Sequence, residues 1–96
     1  DPFARVEFYR RNGARHLPVE YFQPRLAPHL SRVPGMLLIS LLPSTTTVSA
    51  HSLVTWFDDY LAGTEGGLPE PADEEFMKFR SSVDRWGPEI PTLGLP

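Results

Sequence analysis

The sequence predicts a small α/β (α+β) domain whose elements follow in the order helix, strand, strand, helix, helix. Hydrophobic residues make up 41% and charged residues 22% of the 96, which is typical of a folded chain rather than a disordered one. Apolar residues recur every second position in 15–23, as in a strand, and at helical spacing in 50–61. This length suits one small domain or part of a larger one.

Composition limits the function and the location. The net charge of −3 and the pI of about 5.5 give no broad basic surface, so we expect no nucleic-acid partner. Cysteine is absent, which excludes disulfides and suits a cytoplasmic location. The longest apolar run, 36–42, is too short to span a bilayer, so we expect no membrane partner. Because the chain begins with Asp1, we expect a processed product or a fragment.

The first helix is expected over about 2–11. Asp1 can cap free amides at its start, and Pro2 suits a first helical position, where its missing N–H group would be unpaired anyway. Asn12 and Gly13 then tolerate the left-handed conformation in which helices commonly end. A short amphipathic helix that stops at Gly13 is therefore predicted.

Two antiparallel strands are expected next, over 15–23 and 33–42. Pro18 cannot donate a ladder hydrogen bond, which indicates an edge strand or a bulge. The run 33–42 is nearly all apolar and should be covered on both faces inside a sheet. A buried helix is the competing interpretation, but the short length and the bracketing prolines favour a strand. We therefore expect the second strand inside the sheet and the first at its margin.

Two helices complete the chain after a polar connection at 44–47. Ser49 is a candidate N-cap for a helix over 50–61 that stops at Gly63. Its apolar face is expected to pack in the core, and an exposed partner-binding face anchored by Trp56 and Tyr60 is the alternative. A loop over 64–71 precedes the last helix, which runs to Gly87. Its apolar stripe comprises Phe76, Phe79, Val83 and Trp86. Beyond it, 88–96 should be extended or poorly ordered unless it docks.

The predicted sheet is incomplete. Two strands alone are marginally stable, and the apolar strand 33–42 needs neighbours. We therefore expect the sheet to be completed either by the remainder of a longer parent chain or by a second copy.

The run Phe8-Tyr9-Arg10-Arg11-Asn12-Gly13-Ala14 resembles the end region of the GCN5-related N-acetyltransferase (GNAT) family. There, a helix with an FY-x-x-x-G pattern leads into the sixth strand, and a seventh strand lies between the fifth and the sixth. The resemblance covers residues 1–43 and implies that they are the C-terminal segment of a GNAT-like mixed sheet, with one helix and two strands. The stretch 44–87 is then a helical extension, and 88–96 is a tail.

The resemblance implies acetyl transfer from acetyl-CoA to an amine. By this likeness Tyr9 occupies the position of the acid that protonates the departing thiolate, with packing of Tyr9 as the alternative. Tyr21, Phe22 and Arg25 are the candidates for shaping the acceptor pocket. No cofactor-binding residue is assigned, and His16, His29 and His51 are not at metal-ligand spacing.

The family's pyrophosphate-binding loop is missing from these residues, so the chain alone is predicted to be inactive. A non-catalytic interaction or dimerisation module, using strand pairing and aromatic helix faces, is the alternative function. The basic residues of the first third could attract a phosphorylated cofactor or an acidic substrate, or be ordinary surface charge. They are Arg10, Arg11, Arg15, Arg25 and Arg32.

Overall fold

The computed structural model describes residues 2–40, 46–67 and 70–95, and within them it confirms a mixed α/β fold with antiparallel strands. The elements in chain order are α1 (Pro2–Arg11), β1 (Arg15–Gln23), β2 (Val33–Ser40), β3 (Thr47–Ser49), α2 (Ala50–Glu65), α3 (Glu74–Asp84), β4 (Glu89–Pro91) and β5 (Leu93–Gly94). Three predicted features lie outside the described residues: the helix cap at Asp1, the end of the second strand at 41–42 and the turn at 44–45.

The strands form two small antiparallel sheets, one with the order β2-β1-β5 and one of β3 and β4. The pairing of β1 with β2 was predicted, but their places in the sheet were predicted wrongly. β1 is central and β2 is at an edge. The reason is the C-terminal segment, which docks and places Leu93 opposite His16 on the other side of β1. Ile90 and Leu95 of this segment are buried.

β1 contains a bulge between Leu17 and Tyr21, the stretch that includes Pro18; of the two alternatives drawn from Pro18, an edge strand or a bulge, the edge position is wrong and the bulge is observed. Leu17 pairs with Leu38 and Tyr21 pairs with Met36, so four steps along β1 match two along β2. A second register shift lies between Tyr21 and Gln23, where the adjacent Tyr21 and Phe22 are both buried.

Side chains at the end of the last helix satisfy the backbone groups of this bulge. The Glu20 N–H group donates to Ser82 Oγ at 2.8 Å, and Trp86 Nε1 donates to the Pro18 carbonyl at 2.9 Å. The irregular part of β1 is therefore fixed to α3 by hydrogen bonds as well as by packing.

The second helix begins where the sequence predicted and ends later. The Ser49 hydroxyl accepts from the Ser52 N–H group, which confirms the N-cap. The helix continues through Gly63 and ends at Gly66, which has a φ of 85° and donates its N–H group to the Ala62 carbonyl. The predicted stop at Gly63 was wrong because a glycine only weakens a helix, whereas the left-handed Gly66 ends it.

The core lies between β1 and the helices α2 and α3. Phe57 is fully buried, and its ring centroid lies 4.5 Å from that of Phe79 and 5.1 Å from that of Phe22. The predicted core face of α2 is confirmed for Leu53, Phe57 and Leu61, whereas Trp56 is 44% exposed. The buried core cluster comprises Leu17, Tyr21, Phe22, Leu53, Phe57, Leu61, Phe79, Val83 and Ile90.

The expectation that the second strand is covered on both faces was wrong. Val33, Met36 and Leu37 are 49%, 41% and 43% exposed. Helix α3 packs mainly on β1, and β2 lies beside β1 at the edge of the sheet. Among the described side chains of α1, Phe8 is 61% exposed and none joins the core cluster. Of the ten large hydrophobic side chains that are exposed among the described residues, six lie within 2–40.

Candidate functional site

Tyr9, the candidate general acid, lies near the end of α1, where the chain turns into β1. Its side chain is half-buried, and its ring lies edge-on to that of Phe8 with 5.7 Å between centroids. Its carbonyl accepts the N–H group of Ala14 at 3.0 Å, and Gly13 provides the left-handed turn with a φ of 77°. The helix, the glycine stop and the strand therefore follow one another as the sequence predicted.

Tyr21 and Phe22, two candidates for the acceptor pocket, line one groove of about 450 Å³. Its floor is formed by residues 19–22 of β1 and 34–37 of β2, and Glu75 and Lys78 of α3 form one wall. The groove exists because α3 covers β1 and leaves β2 open. It combines exposed apolar side chains with a few charged groups, which is typical of a binding groove.

The Tyr21 side chain mainly belongs to the core. Its ring stacks on that of Trp56 with 6.3 Å between the ring centroids, and its centroid lies 5.3 Å from that of Phe57. Burial, with a smaller contribution from Tyr60, raises the pKa of Tyr21 from 10.0 to about 12. The phenol is therefore protonated at neutral pH, so Tyr21 lines the groove and does not act there as a general base.

Arg25, the third candidate for the acceptor pocket, lies elsewhere. Its backbone N–H group donates to Glu65 Oε2 at 2.9 Å, and its guanidinium Nε lies 3.7 Å from the same oxygen. It lines a second groove of about 390 Å³ together with Arg32, Glu65 and Asp73. Arg25 and the pair formed by Tyr21 and Phe22 therefore do not share a groove.

Arg32, which the sequence offered as a cation for a phosphorylated ligand, is already neutralised. Its side chain is only 8% exposed; Nη2 lies 2.7 Å from Glu65 Oε1, and Nη1 lies 2.7 Å from Asp73 Oδ1. The guanidinium also lies 4.6 Å from the centroid of the Phe22 ring. Hydrogen bonds from Arg32 lower the pKa of Glu65 and of Asp73, and the same bonds raise the pKa of Arg32.

The sequence did not reveal this ion cluster. Arg32 and its partners Glu65 and Asp73 are 33 and 41 positions apart, so no local spacing connects them. Asp73 has one local role, because it is the N-cap of α3 and its side chain accepts the Phe76 N–H group at 3.0 Å.

The candidate acid and Arg25 lie beyond opposite ends of β1. Tyr9 precedes this nine-residue strand and Arg25 follows it. A regular strand of that length spans about 30 Å, which the bulge shortens. Tyr9 lines neither of the two grooves described above. Across 2–40, 46–67 and 70–95 we find no cluster of three potential metal ligands and no helix long and apolar enough to cross a membrane.

The fold and these sites define a mixed α/β domain with antiparallel strands, an apolar groove and, among the described residues, an outer edge of β2 that no other strand pairs with. Comparison of the chain with protein-family models, with curated proteins and with solved structures gave no match.

Proposed function

We propose that this chain is the C-terminal part of a GCN5-related N-acetyltransferase, which transfers an acetyl group from acetyl-CoA to an amine. One observation carries the proposal. The segment that resembles the family exposes apolar side chains at Phe8 on α1 and, next to one another, at Val33, Met36 and Leu37 on the edge strand β2. A strand next to β2 and further covering elements, supplied by the rest of the parent protein, would bury these side chains.

In the proposed reaction a neutral amine attacks the thioester carbonyl of acetyl-CoA. The tetrahedral intermediate then collapses: its C–S bond breaks, coenzyme A leaves as a thiolate, and the attacking nitrogen loses a proton to solvent to give the acetylated amine. Tyr9 donates its phenolic proton to that thiolate and is later reprotonated by solvent. Its half-buried position beside the helix stop supports this role, since a phenol is protonated at neutral pH and tolerates an apolar crevice.

The groove over 19–22 and 34–37 is the proposed acceptor wall. Met36 and Leu37 offer apolar contacts there, and Glu75 and Lys78 provide charge at its border. The glycine-rich loop that holds the coenzyme pyrophosphate would come from the parent protein, and the 96-residue chain alone would be inactive.

Steady-state kinetics of the parent protein test the proposal, with a panel of amines and peptide N-termini as acceptors. Tyr9→Phe should lower kcat about 100-fold or more while leaving the affinity for acetyl-CoA unchanged. Tyr60→Phe is the matched control, because Tyr60 is bonded to Gln23 beside the core and should leave kcat unchanged. Unaltered turnover of Tyr9→Phe over the full pH range would exclude the acid role. Absence of acetyl transfer to every acceptor would exclude the function.

A non-catalytic interaction module is the second candidate, and the open edge of β2 favours it too. An extended segment can add to such an edge through backbone hydrogen bonds. The exposed Trp56 offers a further contact surface. The acetyl-transfer assay separates the two functions, because only the first predicts turnover that depends on Tyr9.

A further inference from the structure

Trp56 on α2 is an exposed aromatic side chain that does not belong to the buried core cluster. The plane of its ring lies at 29° to that of Tyr21 and at 32° to that of Tyr60, with 6.3 Å and 5.5 Å between the centroids. Tyr21 is buried and Tyr60 is half-buried, whereas Trp56 is 44% exposed. Rings at such small angles do not form the walls of a cage, so a ligand would meet a flat aromatic surface.

A carboxylate lies beside this aromatic surface. Asp59 follows Trp56 by three positions on α2, and side chains at that spacing are neighbours on a helix. Asp59 is exposed, and none of the ion pairs among the described residues includes it. The described stretch 46–67, which contains α2, has no lysine and no arginine. The charge of Asp59 is therefore left without a cation in the described part of the chain.

An aromatic face next to a carboxylate is complementary to a cation. The face of an aromatic ring is electron-rich, and tryptophan attracts cations most strongly. The chain uses the same combination internally, where the Arg32 guanidinium lies 4.6 Å from the centroid of Phe22 and is bonded to Glu65. A guanidinium suits the flat surface at Trp56 better than an ammonium does. It is planar, so one face can stack on the ring while its N–H groups reach a carboxylate at the border.

We infer that the surface formed by Trp56, Asp59 and Tyr60 binds an arginine side chain of a partner protein. The guanidinium stacks on the Trp56 ring and donates hydrogen bonds to the Asp59 carboxylate. A nucleic acid would bring its phosphates beside this carboxylate, and a purely apolar partner would bury the carboxylate without a counterion. The inference does not rest on acetyl transfer, because these three residues line neither of the two grooves described above.

Heteronuclear NMR of the isotope-labelled 96-residue chain tests the inference, because each tryptophan gives its own indole N–H signal. The probes are capped tripeptides with arginine, citrulline or lysine between glycines. Citrulline is the matched probe, since it has nearly the shape of arginine and no charge. The arginine peptide should shift the Trp56 signal in a saturable manner and bind about fivefold or more tighter than the citrulline peptide. The signal of Trp86 is the internal control, because its Nε1 is bonded to the Pro18 carbonyl and should not respond.

Two variants with the same change of charge test the carboxylate. Asp59→Asn should weaken binding of the arginine peptide about threefold or more, since it removes the ion pair and leaves the ring. Asp84→Asn, at an exposed position on α3, is the matched control and should leave the affinity unchanged.

The outcomes separate a guanidinium site from other occupants of this surface. Binding of the arginine peptide that exceeds that of the other two, and that only Asp59→Asn weakens, supports the inference. Equal affinity for arginine and citrulline, equal affinity for arginine and lysine, or equal affinity of the two variants overturns it. A Trp56 signal that moves when the chain alone is diluted, and not with the arginine peptide, shows a second copy on this surface and also overturns it. The comparison of the three peptides uses the wild-type chain, so it does not depend on the folding of a variant.

Discussion

Arg32 and Glu65 form a buried, two-point contact that connects the loop after β1 to the end of α2. Arg32 Nη2 lies 2.7 Å and Nε 3.2 Å from Glu65 Oε1, and their side chains are 8% and 10% exposed. Glu65 also accepts the Arg25 N–H group, so one carboxylate holds both ends of the loop 25–32. Asp73 extends the contact to the start of α3. This cluster fixes the loop next to Phe22 and hence one side of the core.

Removing the Arg32 guanidinium should strongly destabilise the fold. Arg32→Ala removes the closest cation from two poorly exposed carboxylates, leaving Glu65 with the looser contact to Arg25 and Asp73 with its cap to Phe76, and is expected to lower the free energy of unfolding by about 3 kcal/mol. Arg25→Ala is the control, because this half-exposed guanidinium lies 3.7 Å from Glu65, and its loss should cost less than about 1 kcal/mol. Urea denaturation monitored by tryptophan fluorescence measures both. Equal effects of the two substitutions would contradict a special role for Arg32.

The same cluster predicts a loss of stability in acid. Glu65 and Asp73 have pKa values below their ordinary values of 4.5 and 3.8, mainly because Arg32 hydrogen-bonds their charged forms. The stabilisation that these two carboxylates give the folded state is therefore complete above pH 4.5. It is lost as the pH falls through their lowered pKa values, because the unfolded chain binds more protons than the folded chain in this range.

Unfolding curves from pH 6 to pH 2 should show a steep decline below about pH 4.5. Glu65→Gln should flatten this decline, whereas Glu70→Gln, on an exposed residue, should leave it unchanged. If the stability of Glu65→Gln falls below about pH 4.5 as steeply as that of the wild type, other carboxylates cause the decline.

Alkaline conditions should weaken the core at Tyr21. Its pKa is raised to about 12, whereas the unfolded chain ionises this phenol near 10.0. The stabilising contribution is thus complete below pH 10 and is lost as the pH rises through 12, because the unfolded state releases the proton first. Absorbance of tyrosinate in the folded chain should show one late titration step, which Tyr21→Phe removes. If that step persists in Tyr21→Phe, it belongs to another tyrosine.

Ser82 should contribute to stability through the bulge of β1. It accepts the Glu20 N–H group and donates to the Phe79 carbonyl at 2.7 Å, and it is only 4% exposed. Ser82→Ala leaves the Glu20 N–H group without its partner and should cost about 1–3 kcal/mol. Ser81→Ala, at the exposed neighbouring position, is the control. Hydrogen exchange of the Glu20 amide should accelerate only in Ser82→Ala, and unchanged exchange would rule out this explanation.

The sequence by itself determined several local features, although not the end of α2. The limits of α1 at Pro2–Arg11 and of β1 at Arg15–Gln23 and the cap at Ser49 were predicted, since each depends on residues close together in the chain. The bulge near Pro18 was one of two alternatives that the sequence left open. The role of Tyr9 and the acetyl-transfer function stay predictions that rest on a resemblance.

Only the tertiary structure decided what depends on distant residues. The C-terminal segment docks beside β1, so β1 is central and β2 is at the edge, although the apolar pattern of β2 indicated the reverse. Tertiary contacts likewise made Arg32 a buried ion-pair partner and placed Arg25 away from Tyr21 and Phe22. Arg15 and Thr92 are hydrogen-bonded although they lie 77 positions apart. No local sequence pattern predicts such a contact, because it depends on which surfaces the packed helices leave to be covered.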